Sequence, residues 1–166
     1  LKTIIFSATS PNNIGYLLDT SLTHFPTMSA VKITTANPNK IHPPRPTYSH
    51  IASAALPIHS TLITFSGQIG KKPDGTTPPD FTSQVAAALG NLGHCLESVG
   101  LGPESIMKVT QYIVGPENAA DPGRGALYIK FMGEHRPAST LVGVAFLAEP
   151  ELLYEIEAVA VMAGES

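Results

Sequence analysis

Downstream of Thr61 the apolar positions fall into short alternating or helical runs separated by clear turn signals. The stretch Thr61 to Gln68, TLITFSGQ, is β-branched and aromatic and closes at Gly67 and Gly70 before Lys72-Pro73-Asp74-Gly75, the pattern of a strand running into a turn. Asp80 then stands where it can cap a helix whose apolar residues Phe81, Val85, Leu89, Leu92, Leu96 and Val99 recur at three and four, with Gly100 and Gly102 as the stop. Ile106 to Val114 alternates again, placing Lys108, Thr110 and Tyr112 on one face and Met107, Val109 and Ile113 on the other. Asp121-Pro122 opens a second helix reaching about Glu134. Thr140 to Leu147 and Leu153 to Met162 read as closing strands around the Glu149-Pro150 turn, and Ser49 to Leu56 as a further hairpin strand.

This order predicts an α+β domain, one sheet with two helices packed on one face. The last strand complicates that picture. Alternation sets Tyr154, Ile156, Ala158, Ala160 and Met162 on one side and Leu153, Glu155, Glu157, Val159 and Val161 on the other. Both sides are substantially apolar, so the face without helices calls for a second subunit, and the interface would contain acids.

Before this domain the pattern is weaker. Residues 1–28 hold one Lys, no Arg and no apolar run suited to a signal peptide, and read as a poorly ordered leader to a domain over 29–166. Pro38 to Pro46 reads as extended connection. The 166 residues suit one domain, and 43% hydrophobic against 14% charged residues argues against both a disordered chain and a membrane span. Ten basic and thirteen acidic residues, a net charge of −3, make nucleic acid an unfavoured partner. The single cysteine, Cys95, excludes an internal disulfide and fits a packed helix position, in keeping with a reducing compartment. The six histidines show no metal-ligand spacing, so no metal site is expected.

Five segments in order closely resemble the RidA (YjgF) family: Ser66-Gly67-Gln68-Ile69-Gly70, the Phe81 to Gly100 helix with Gln84 and Asn91, Ile106 to Thr110, Arg136-Pro137-Ala138, and Glu155-Ile156-Glu157-Ala158. The resemblance spans about Tyr48 to Met162. It implies a chorismate-mutase-like fold, a homotrimer with its sheets facing inward, and small-molecule clefts between subunits. Deaminases of this family hydrolyse reactive enamines and imines such as 2-aminoacrylate to keto acids and ammonia without metal or organic cofactor. For this chain a cytoplasmic location is expected, with a mitochondrial one the alternative. Carried over residue by residue, the resemblance makes Glu155 the catalytic water-positioning or proton-relay group and Tyr48, Ser66 and Gly67 cleft residues.

The family arginine that holds the substrate carboxylate has no counterpart. Where the family reads Pro-Ala-Arg-Ser, this chain reads Pro137-Ala138-Ser139-Thr140, so Ser139 stands in the binding position, and Gly125 replaces an asparagine common in the second helix. A hydroxyl cannot reproduce a two-pronged guanidinium clamp. The chain has three arginines, Arg45, Arg124 and Arg136; Arg136 lies across Pro137 from the site and does not inherit the role.

Each candidate has a plainer reading. Glu157 is better taken as an interface contact than as a second acid-base group. Tyr48 serves equally well as a half-buried strand aromatic. Ser66 lacks a nucleophile elbow and suits a strand-end hydrogen bond, and Gly67, Gly70 and Gly75 read as turn residues. Two functions stay open: a cofactor-independent hydrolase-like enzyme on a reactive imine or enamine, with 2-aminoacrylate deamination weak or lost, and a non-catalytic binding or interaction module on the same trimer. Ribonuclease activity is disfavoured by the acidic balance.

Overall fold

The computed structural model describes residues 31–164; the expected leader at 1–28 lies outside them. Strands β1 (Ile33–Ala36) and β2 (Ile51–Ala54) form an antiparallel pair, and β3 (Thr61–Ile69) follows. Helix α1 (Phe81–Ser98), a 3-10 turn at Pro103–Ser105, β4 (Ile106–Val114), the short α2 (Pro116–Ala119), α3 (Pro122–Met132), β5 (Ala138–Val144) and β6 (Tyr154–Met162) complete the order. The main sheet runs β3-β6-β4-β5. Strands β3 and β4 are antiparallel to β6, while β4 and β5 are parallel, which requires the crossover that α2 and α3 supply.

Local sequence sets these boundaries. The Asp80 carboxylate accepts from the Ser83 amide at 2.8 Å and caps α1, and Asp121 accepts from Gly123 and Arg124 amides to cap α3. The anticipated stripe Phe81, Val85, Leu89, Leu92 and Leu96 is buried, and it packs on Ile113, Ile156, Ala158 and Ala160 of the sheet. Each such aliphatic burial contributes about 1.5–3 kcal/mol. Two elements were not anticipated: β1, four residues beside a polar, proline-bearing stretch, and the single turn α2 after Gly115-Pro116. The penultimate strand is shorter than expected, ending at Val144 rather than Leu147.

The face without helices differs from expectation at three residues. Val161 is fully buried by its own chain, in a second cluster with Val31 and Ala163 against Ala54 of β2 and Met107 of β4. Leu153 packs against the main core instead of standing in water. Met107 faces away from Val109 because β4 bulges there: Ile106 pairs with Ala160 but Lys108 with Val159, so one extra residue reverses the alternation. What stays open on this face is the central strip of Thr64, Lys108, Thr110, Glu157 and Val159, with Leu62 60% exposed beside it.

Candidate functional site

At the β5 edge, on the helix side of the sheet, a cavity of about 300 Å³ is lined by Arg45, Thr47, Tyr48, Gln111, Arg124, Ser139 and Leu141. Its floor is set by strand alternation, since Gln111 pairs with Leu141, Ser139 pairs with Val109, and all share the face of Ile113. Gln111, 2% exposed, connects the cleft to the core. Its Oε1 accepts from Tyr154 Oη at 3.0 Å and from an Arg124 terminal nitrogen at 3.1 Å, and its Nε2 donates to Ser139 Oγ at 3.2 Å. Beneath it the Tyr128 hydroxyl is buried and lacks a hydrogen-bond partner among the described residues. Burial pushes the Tyr128 phenol up to about 12 and raises that of Tyr154 as well.

The outer wall is a loop held by local contacts. The Ser49 amide donates to Pro137 O at 3.3 Å, which lays the loop along the start of β5. The Tyr48 ring meets His50 edge to face at 5.4 Å, and His50 meets His42 at 5.0 Å. Tyr48 is thus half-buried and braced.

The acids lie on the opposite face. Glu155 pairs with Tyr112, and Glu157 with Thr110. Between Phe65 and Gln68 strand β3 bulges, so Ser66 and Gly67 together oppose Glu157. The Glu155 carboxylate lies directly over Gly67, in the volume a Cβ would need. Gly67 is therefore glycine for close approach and is not a turn residue. Among the described residues the Glu155 carboxylate has no hydrogen-bond partner, and the exposed Ser66 hydroxyl makes no hydrogen bond. Glu157 accepts from Tyr112 Oη at 3.1 Å. Loss of water, then that contact, raises the Tyr112 phenol; burial lowers the Lys108 ammonium, partly offset by Glu157.

Two side-chain amides fix the ends of the strands that carry Glu155 and Gly67. Gln84, 1% exposed, donates to Pro78 O and Glu151 O and accepts from the Leu153 amide at 2.8 Å, fixing the entry to β6 two residues before Glu155. Asn91 donates to Ile69 O at 3.1 Å and Lys71 O at 2.8 Å, fixing the exit of β3. Gly70 lies so close to Gln84 that a side chain there would overlap it.

Of the residues singled out from sequence, Tyr48 and Ser139 meet in the edge cleft, and Ser66, Gly67 and Glu155 meet on the free face. One chain does not join the two groups, because the sheet stands between them. Arg45, Arg124 and Gln111 were missed as cleft residues. A signal existed: Gln111 is the polar member of the buried row Val109, Gln111, Ile113. Arg136 is turned away, donating to Gly133 O at 2.6 Å and His135 O at 2.7 Å at the end of α3.

A mixed four-stranded sheet backed by α1 and α3, with a cleft at its parallel edge, defines an α+β domain of the YjgF type. The family model described as endoribonuclease L-PSP matches residues 40–162. The chain is 36% identical over 99 residues to the RutC family protein YjgH of Escherichia coli K12, covering 60% of this chain and 75% of that protein. Among solved structures it is similar to YyfB of Yersinia pestis, a Rid family protein, with TM-score 0.69, 28% identity, and coverage of 78% of this chain and 98% of that one. It is also similar to E. coli TdcF with bound serine, with TM-score 0.56, 28% identity, and coverage of 80% and 98%. The chain belongs to the RidA (YjgF) family.

Proposed function

We propose that this protein is a homotrimer that hydrolyses a small reactive imine or enamine without a cofactor. An enamine first tautomerises to the imine, a proton moving from nitrogen to carbon; water then adds to the carbon of the C=N bond, the C–N bond breaks, and the products are a carbonyl compound and ammonia. Glu155 orients that water or carries its proton, and Tyr48 and Ser139 line the cleft that receives the rest of the substrate. The observation carrying this reading is the Glu155 carboxylate seated over Gly67, half-buried and without a partner among the described residues. Such a group has its oxygens open to a water or a substrate.

The split site supports an assembly of copies, and the family resemblance makes that assembly a trimer. The Glu155 group and the Tyr48 group lie on opposite faces of one sheet, so a shared cleft needs the free face of one copy against the edge of the next. The serine in E. coli TdcF supports a ligand of amino-acid size. A second reading, a binding module without chemistry, is favoured by one feature: Ser139 stands where the family deaminases carry their carboxylate-holding arginine.

Ammonia release from imines generated in solution tests the two readings. Turnover of some small imine supports the enzyme; 2-aminoacrylate, whose carboxylate Ser139 cannot hold from β5 in the family's pose, is expected to rank among the poorer substrates and to be improved by Ser139→Arg. Binding without ammonia release across the series supports the module.

A further inference from the structure

We propose that Arg124 and Arg45 form a carboxylate clamp in the edge cleft, doing from helix α3 and the Tyr48 loop what Ser139 cannot do from β5. The proposal rests on the reading of this cleft as a small-molecule site. The chain has three arginines, and Arg136 is committed to the carbonyls at the end of α3, while the other two line the same cavity.

Arg124 is held for such a task. A guanidinium offers five N–H donors. Here a terminal nitrogen reaches Gln111 Oε1 at 3.1 Å, and Nε is buried with no partner among the described residues. Neither Arg124 nor Arg45 forms an ion pair among those residues, and the cavity lining contains no Asp or Glu. A partly buried cation without a counter-ion is costly, and an anion in the cleft removes that cost.

The surroundings favour a carboxylate. Gln111 is itself fixed by Tyr154 Oη and Ser139 Oγ, so the guanidinium is oriented before a ligand arrives. Its planar fork matches the two oxygens of a carboxylate. Arg45 comes from the exposed loop braced by Tyr48 and His50, from which it can close over the same anion. A volume of about 300 Å³ is at the lower end of ligand cavities, which suits a small acid.

The test is calorimetric titration of the full chain with pyruvate and with its neutral amide, pyruvamide. The wild type is expected to bind pyruvate at least about tenfold more tightly than pyruvamide. Arg124→Met should weaken pyruvate about tenfold or more and change pyruvamide by less than about twofold, and Arg45→Met should weaken pyruvate about threefold. Equal loss of both ligands in Arg124→Met would make the residue merely structural and overturn the clamp. So would a wild type with no preference for the acid, a wild type that binds neither, or one that binds inorganic phosphate more tightly than pyruvate. If Arg124→Met fails to fold, Arg45→Met decides: a reduced acid preference supports the clamp, and an unchanged one overturns it. Ammonia release, read separately in Glu155→Gln, keeps the outcomes apart. A clamp with no Glu155-dependent turnover leaves this inference standing without the enzyme, and turnover with no acid preference does the reverse.

Discussion

The edge cleft and the free face of the sheet are built from the same strands, yet they have opposite chemistry. The cleft gathers two guanidiniums and no acid, and its polar groups are tied through Gln111 to the core. The free face carries Glu155 and Glu157 with Lys108, Thr110 and Tyr112, set by backbone bulges more than by side-chain networks. Alternation along β4 makes both: Gln111 points one way and Tyr112 the other. Neither region has the full set of groups the proposed reaction requires, and their charges are complementary. The difference teaches that one chain supplies two unlike halves, which the proposed reaction would join only by bringing the free face of one copy against the cleft of another.

The largest effect should come from separating the halves. The trimer should have a mass near three times 17.5 kDa. Leu62→Glu combined with Val159→Glu, on the free face, should abolish assembly and with it turnover, while circular dichroism stays that of the folded chain. Multi-angle light scattering reads the mass, and a mutant that remains trimeric would show that this face is not the interface.

Within the acidic half, Glu155→Gln should lower turnover roughly 10²-fold because it removes a proton-transfer group without changing shape. Glu157→Gln should cost less, since that carboxylate is occupied by Tyr112. Gly67→Ala keeps the acid but displaces it, and a loss of roughly tenfold is expected. Steady-state rates rank the three, and an unaffected Glu155→Gln enzyme would remove catalysis from this face.

Gln84→Ala should destabilise the fold by about 2–3 kcal/mol in urea titration, because two backbone groups at the entry to β6 and the Pro78 carbonyl before α1 lose their partner at a buried position. The smallest effect concerns the cleft floor. The Tyr128 phenol sits at about 12 in the fold against 10.0 ordinarily. Its folded pKa is raised, so its contribution is fully present below pH 10 and is lost as pH climbs toward 12, on the order of 2 kcal/mol. Tyr128→Phe should flatten that alkaline loss and change stability at pH 7 little, since the hydroxyl is buried without a partner among the described residues.

The helices and the order of the main strands were legible in the sequence because they rest on local signals: the Asp80 and Asp121 caps, the three-and-four spacing of α1, and the period of two in β6. Tyr48, Ser139, Gly67 and Glu155 could be named from family resemblance for the same reason, each standing in a recognisable segment. What the sequence could not reveal depends on contacts between distant segments. The bulges at Met107 and at Ser66-Gly67 exist only relative to a partner strand, and they decide which face a side chain takes and that Glu155 lies over Gly67. The burial of Val161 depends on Val31 and Ala54 folding back from far earlier in the chain. The meeting of Arg45 and Arg124, 79 residues apart by number, is likewise decided by the loop lying along β5 and by α3 presenting its first turn there. Local propensity is written in neighbouring residues; the placing of charge around a cleft is settled only when the chain closes on itself.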